Sequence, residues 1–351
     1  MQSSELSEQD FELINALQIA PRAAWTDLAK ILGGTPVSVA ARWHRLSRAG
    51  SAWITAYPAM KPRNVLLCYI ELDCAPGTKP SVQAQLLREP RVVTVEESAR
   101  GRDLLLTVMC PDLDEVTKFA LDDLPAIPGV LRPRTHFVTK LHSEGNNWRL
   151  DALSPEQRRR CESLARTSGA EQVTQLPGDA WPLIQELAKD GRATAADLAR
   201  ATGRNTATVR RQLSKIIGSG ALSFRCELAQ GRSRWPVTCT FLARIPPADL
   251  DRTIAALKTL PEMRVCVSTT GSTNMLFSVW MSSIEDLHQV ERRFGTHLPW
   301  LEIIDSAVTL RNPKRMGWIL NSDGSSTGQV IVPAALRPTR IESAMDSGLK
   351  R

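Results

Sequence analysis

Residues 27–50 read DLAKILGGTPVSVAARWHRLSRAG, and residues 197–220 read DLARATGRNTATVRRQLSKIIGSG. Laid over one another at an offset of 170, the two stretches extend without a gap to 6–54 against 176–224, with 12 of 49 positions identical. The identities fall mainly on apolar and glycine positions, among them Leu13/Leu183, Ile14/Ile184, Leu17/Leu187, Leu28/Leu198 and Gly50/Gly220, with Arg22/Arg192 and Ala23/Ala193 between them. Such a pattern keeps one fold while the surface diverges, so the chain is read as a tandem duplication.

Each copy spells three short helices. Leu13, Ile14 and Leu17, or Leu183, Ile184 and Leu187, recur at helical spacing and give the first helix one apolar side. The second runs through Asp27-Leu28-Ala29 or Asp197-Leu198-Ala199, with Thr194 and Asp197 spelling a capping box, and ends at a glycine. Thr35-Pro36 or Asn205-Thr206 then start a third helix that is predicted to stop at Gly50 or Gly220. Two helices joined by a short glycine turn behind a supporting helix make a helix-turn-helix.

The third helix decides the functional reading. At 100° per residue, Val39, Trp43 and Leu46, like Val209, Leu213 and Ile216, gather on a core side. The opposite side carries Ser38, His44, Arg45 and Arg48 with Arg42 on a flank, or Thr208, Arg211, Ser214 and Lys215 with Arg210 on a flank and Arg204 just ahead. Neither helix has an acid between its cap and its terminal glycine. A solvated helix surface ordinarily mixes both signs, whereas an all-basic, hydroxyl-bearing one suits a major groove and its phosphates. The candidate DNA-binding set is therefore Thr35, Ser38, Arg42, His44, Arg45 and Arg48 in copy 1, and Arg204, Asn205, Thr208, Arg210, Arg211, Ser214 and Lys215 in copy 2.

Outward from each unit, residues 52–57 and 221–228 look extended, and Val65 to Glu71 and Val237 to Leu242 are strands. Helices follow at about 80–89 and 247–259, then strand pairs (91–98 with 103–110, and 264–270 with 275–281). Helices at about 112–122 and 283–293 lead to last strands at about 130–139 and 300–310. This βαββαβ order is the ferredoxin-like split unit, whose sheet has helices on one side and leaves the other for a second sheet or a ligand.

A helix-turn-helix followed by this α+β unit resembles the Lrp/AsnC (feast/famine) transcriptional regulators. The resemblance rests on Leu6-Ser7-x-x-Asp10, Asp27-Leu28-Ala29, Thr35-Pro36-x-Ser38-Val39 and Arg42-x-x-Arg45-Leu46-x-x-x-Gly50, and covers the chain twice, linker and tail aside. It implies double-stranded DNA as partner, an amino acid or related small molecule as effector, and self-association: a pseudo-dimer formed within one chain, and further assembly of such units. In the family a Gly-x-x-Asp turn lies near the effector. Here Gly101-Arg102-Asp103 is one residue short and Gly271-Ser272-Thr273-Asn274 has an amide for the acid, so Gly101, Asp103, Gly271 and Asn274 are the effector candidates. Copy 1 has Ala41 beside Arg42 and copy 2 has Arg211 beside Gln212 where the family has a basic pair, and copy 2 has Ala180 in place of Asp10, which implies either different half-sites for the two heads or one head that binds backbone alone.

Six segments result: a helix-turn-helix at 1–58, a ferredoxin-like regulatory and dimerisation domain at 62–142, a linker with one helix (155–165) at 143–175, a second helix-turn-helix at 176–230, a second ferredoxin-like domain at 235–318, and a loose tail at 321–351 opened by Ser322-Asp323-Gly324-Ser325-Ser326-Thr327-Gly328. Arg158-Arg159-Arg160 on the linker helix reads as solvated surface, with a tether lying over DNA as the alternative.

The 351 residues carry 44 Lys+Arg against 37 Asp+Glu, a net charge of +7, and 42% hydrophobic residues, a composition fit for packed domains. No run is apolar enough for a membrane span, and the polar, acidic start lacks a secretion signal, so a cytoplasmic location is expected. Seven cysteines without a C-x-x-C pair point to core residues, and neither a metal site nor a cofactor is expected. No nucleophile-elbow, Walker, zincin or dinucleotide motif is present, so no catalytic residue is assigned. The enzymatic alternative is a siroheme decarboxylase, since those enzymes resemble this fused architecture. Their His- and Arg-rich run into Tyr-Asn-Leu-Trp-Phe has as its nearest equivalent Gly271-Ser272-Thr273-Asn274-Met275-Leu276-Phe277, without the histidines or the tyrosine.

Overall fold

A computed structural model describes residues 6–59, 65–145, 148–167 and 178–337. Copy 1 opens with α1 (Glu8–Ile19), α2 (Trp25–Leu32), α3 (Pro36–Arg48) and β1 (Ala52–Pro58). Its α+β domain is β2 (Leu66–Cys74), α4 (Lys79–Arg88), β3 (Val92–Glu97), β4 (Leu104–Cys110), α5 (Leu113–Thr117) and β5 (Val130–Ser143). After α6 (Pro155–Thr167), copy 2 repeats the plan: α7 (Trp181–Lys189), α8 (Ala195–Thr202), α9 (Thr206–Gly218), β6 (Leu222–Leu228), β7 (Val237–Arg244), α10 (Leu250–Lys258), β8 (Met263–Thr269), β9 (Met275–Met281), α11 (Asp286–His297) and β10 (Glu302–Thr309). Three short strands close the chain: β11 (Arg311–Arg315), β12 (Trp318–Leu320) and β13 (Ser326–Val330). Helix 112–122 of the sequence reading is instead a short α5 that widens into a π-helical turn over Lys118–Asp123.

The caps form as their residue types require. Ser7 with Asp10, Thr35 with Ser38, and Thr194 with Asp197 make reciprocal capping boxes, while Asn205 accepts from the amides of Ala207 and Thr208. Gly203 takes φ +67°, which lets α8 turn into α9 without a Cβ clash.

Both α+β domains have the strand order of a split βαβ unit, β5-β2-β4-β3 and β10-β7-β9-β8. Alternation along the strands sorts the side chains. Cys68, Ile70 and Leu72 pack with Val82 and Leu86 of α4, and Cys239, Phe241 and Ala243 pack with Leu257 of α10 and Phe294 of α11. The intervening positions point the other way: Leu67, Tyr69, Leu105 and Met109 of copy 1 join Leu242, Val267 and Leu276 of copy 2 in one cluster. The second sheet that the open side calls for is thus the chain's own other copy, and the pseudo-dimer is internal. Six of the seven cysteines are buried, and none is bridged.

Exchanged strands seal the pair. β5 runs on past β2 to pair with β8 of copy 2, from Val138 with Thr269 to Ser143 with Cys266. Reciprocally, β11 leaves copy 2 to pair with β3 of copy 1. Between the heads, β1 and β6 form a separate two-stranded ribbon centred on Thr55 and Arg225, which are equivalent positions of the repeat.

Two parts of the sequence reading are corrected. The region read as a loose tail is built into the fold as far as residue 337. Trp318 lies tilted against Trp53 with ring centroids 5.6 Å apart, the Ser326 amide donates to the Gly50 carbonyl (2.9 Å), and Leu336, 2% exposed, completes the core of the second head. Arg232 also pairs with Asp323 at 2.6 Å; against the burial that would raise it, bonds from Ser325 and Arg232 hold the Asp323 carboxyl down at about 2. The linker is likewise no free tether: Trp148, Leu150, Leu153 and Cys161 join the core of the first head, and α6 packs on α1 and α2. Arg159 and Arg160 are exposed and Arg158 pairs with Asp151. Leu176, Asn146-Asn147, 168–175 and 338–351 lie outside the described residues. Among the described residues no helix is long and apolar enough to cross a membrane.

Lys314 on β11 is fully buried, and its Nζ donates to the Glu89 carbonyl at 2.8 Å. Burial pushes its ammonium down to about 7. A base whose folded pKa is depressed weakens folding while the unfolded chain stays protonated, so the penalty is full below about pH 7 and fades as pH climbs toward the unfolded value. Lys314→Met is expected to stabilise the chain by about 1–3 kcal/mol at pH 7. Urea unfolding at pH 7 and pH 9 checks this: the advantage over the parent shrinks at the higher pH. A variant less stable than the parent at pH 7 contradicts it.

Candidate nucleic-acid interface and effector turns

The outward sides of α3 and α9 carry the residues that the sequence placed there. Thr35, Ser38, His44, Arg45 and Arg48 are exposed on copy 1, and Asn205, Thr208, Arg210, Arg211, Ser214 and Lys215 on copy 2. Val39, Trp43 and Leu46, and Val209, Leu213 and Ile216, are buried beneath them.

The two faces are engaged differently. In copy 1 Arg42 and Arg45 turn back to α1: Arg45 pairs with the buried Asp10, while Arg42 lies 3.8 Å from the same carboxylate and bonds to Gln9. Ser38 is taken up by its cap, receiving the Thr35 amide (3.0 Å) and donating to the Thr35 carbonyl (2.9 Å). Ser38, though exposed, and Arg42 therefore already have partners within the chain. In copy 2, where Ala180 replaces the acid, Gln212 ties to Asp179 and Arg204 donates to the Asp179 carbonyl at 3.0 Å. Arg210, Arg211 and Lys215 make no side-chain bond or ion pair among the described residues, and Ser214 donates back to the Arg210 carbonyl. The second face is thus the more openly cationic.

Two features escaped the sequence reading. Val37, at the start of α3, is 77% exposed, an apolar group on the recognition surface. The other is the lock between the heads. Arg22 donates to the carbonyls of Gly191 and Ala193, and Arg192 donates to those of Pro21 and Ala23 (both 2.7 Å). The contacts are reciprocal across the repeat, with Arg192 also 3.7 Å from the Trp25 ring centroid. Burial lowers both guanidinium pKa values, that of Arg192 to about 10 with Arg22 as its neighbour. Their signal was present, as identical arginines in a turn of each copy, but the partners are 169 and 171 positions away.

The effector candidates hold their own domains together. Gly101 and Gly271 are exposed with φ +69° and +119°. Asp103 accepts the Cys74 amide at 2.8 Å, and Asn274 accepts the Ile245 amide at 2.9 Å while donating to the Ile245 carbonyl. Carboxylate and amide do one job, fastening the turn to the end of the first strand of each domain. Beside the second turn lies an open cleft of about 460 Å³, which Arg244, Asn274 and Trp300 help to line.

Residues 67–148 and 238–319 each match the Lrp/AsnC ligand binding domain. The match falls once in each copy. Among similar proteins, the HTH-type transcriptional regulator FL11 of Pyrococcus horikoshii is 27% identical over 143 residues, 40% of this chain and 93% of FL11. The HTH-type transcriptional regulator LrpC of Bacillus subtilis is 25% identical over 127 residues, 36% of the tandem chain and 86% of LrpC. Each match spans about one copy. Among solved structures, the match to the siroheme decarboxylase NirDL covers 88% of this chain and 93% of NirDL at 12% identity and a TM-score of 0.51. That likeness concerns the fold across both copies. AsnC of Escherichia coli is 22% identical, covering 39% of the tandem chain and 94% of its own length, with a TM-score of 0.34.

Proposed function

We propose that the chain is a sequence-specific DNA-binding transcriptional regulator of the Lrp/AsnC type, modulated by an amino acid or related small molecule, with double-stranded DNA as its partner in the cytoplasm. The observation that carries the reading is the pair of acid-free, cationic recognition helices on heads fastened by Arg22 and Arg192. Each head takes one half-site of an imperfect palindrome, the centres about one turn apart, roughly 34–36 Å, or a multiple of it. Arg210 and Lys215 bind phosphates, and Thr208 and Arg211 face base edges. In copy 1, Arg48 binds phosphate, Arg45 does so once released from Asp10, and Val37 meets a thymine methyl.

The test is fluorescence anisotropy with DNA from upstream of the chain's own gene and with scrambled DNA, at several salt concentrations. A preference of about 10³-fold or more supports the reading. Equal, steeply salt-dependent binding makes the chain a non-specific binder, and no binding moves attention to siroheme decarboxylation, the second reading, which the tandem likeness to NirDL favours. Within the first reading, uracil in place of the thymine facing Val37 is expected to weaken binding by about 0.8 kcal/mol, the worth of one buried methyl. Val37→Ser is insensitive to that replacement, and an equal loss in both proteins removes Val37 from the recognition set.

A further inference from the structure

Between the inner faces of the two sheets, below the β1–β6 ribbon, lies a cavity of about 130 Å³. Three guanidinium groups reach it: Arg225 from the ribbon, Arg264 from β8 and Arg315 from β11. All three share the single carboxylate of Glu227, with Arg264 at 3.3 Å, Arg315 at 3.8 Å and Arg225 in direct contact. The two carboxyl groups on the cavity wall, Glu96 and Glu144, make no ion pair with these arginines among the described residues: Glu96 accepts from Thr309 (3.3 Å) and Glu144 from the Tyr57 hydroxyl (3.5 Å). Three guanidinium groups thus converge on one paired carboxylate, an arrangement in which a second anion would be favoured.

A second observation points the same way. Thr240, 2% exposed, lines the cavity, and its Oγ1 has no hydrogen-bond partner among the described residues. Buried hydroxyls are ordinarily satisfied. Leu105, Met109 and Leu276 add apolar lining. An apolar cavity of about 150 Å³ accepts a benzene-sized guest, so this one has room for about six non-hydrogen atoms.

We propose that the cavity is a binding site for a short-chain organic carboxylate, whose carboxylate is held by Arg225, Arg264 and Arg315, with a bond from Thr240 Oγ1 and its carbon chain against Leu105 and Leu276. The site is distinct from the Gly101 and Gly271 turns. Because occupancy is read directly, the proposal stands or falls apart from DNA binding.

The test is calorimetric titration of the full chain with butanoate, with butanol as the uncharged counterpart and inorganic phosphate as the anion without a chain. Butanoate is expected to bind saturably, about tenfold or more tighter than either. Thr240→Val, which leaves no buried polar group behind, is expected to keep the fold and weaken butanoate by about tenfold, the worth of a hydrogen bond to a charged group. Leu276→Phe narrows the cavity and is expected to abolish binding, with unchanged circular dichroism showing that it folds. Saturable binding of phosphate equal to that of butanoate overturns the carboxylate assignment. Absence of butanoate binding to the parent, or binding that neither substitution alters, overturns the site.

Discussion

Replacing Arg210, Arg211 and Lys215 together with alanine is expected to weaken binding to a duplex with both half-sites by about 10²–10⁴-fold, because a two-headed grip becomes a one-headed one. All three are exposed and make no ion pair among the described residues, so the fold is untouched; the buried Val209, Leu213 and Ile216 keep α9 in place. If Arg210 and Lys215 bind phosphates, the slope of log affinity against log salt also falls by about 2. Anisotropy across a salt series measures both. An unchanged affinity for the two-half-site duplex, with thermal stability retained, rejects the proposed role of the second head. The matching change in the first head is expected to be smaller, since Arg42 and Arg45 are already held by Gln9 and Asp10.

The second large effect concerns stability. Glu227, 1% exposed on β6, is the carboxylate on which Arg225, Arg264 and Arg315 converge. Glu227→Gln keeps the volume and removes the charge, leaving the buried Arg264 and Arg315 and the half-buried Arg225 without it. Breaking a buried pair from one side costs about 3–5 kcal/mol, so a loss of that size is expected in urea unfolding at neutral pH. A loss under 1 kcal/mol means that the arginines are balanced by another group. Arg315 is also bound to Gln230 (3.0 Å) and lies 5.3 Å from the Trp280 ring centroid, contacts that the substitution leaves in place.

The fold was legible wherever its signal is local or periodic. Alternation in Leu66–Cys74 separates a helix-facing set from a second set, and the repeat supplies a partner for the latter. Caps at Thr35, Thr194 and Asn205 follow from residue type alone. What escaped depends on contacts far apart in the chain. Ser322 to Gly328 has the composition of a loop, yet β13 is held because Ser326 meets Gly50 and Trp318 meets Trp53. Helix α6 was visible as a helix, but little in its arginine-rich sequence marks the side with Cys161 that rests on the first head. The recognition faces were likewise legible from helical periodicity. Which of their arginines are tied down was not, since Asp10 acts on Arg45 from another helix. The cavity left still less trace: its three arginines sit on three strands, each an unremarkable position until the sheets are stacked.

A pair of identical subunits is unchanged by a half-turn about its own axis and so approaches a site in two indistinguishable ways. The present pair is not, because α6 rests on one head and Leu336 on the other. The assembly consequently has a left and a right. On the proposed reading it can be seated on a promoter with one end always upstream, a compass bearing that no symmetric dimer possesses.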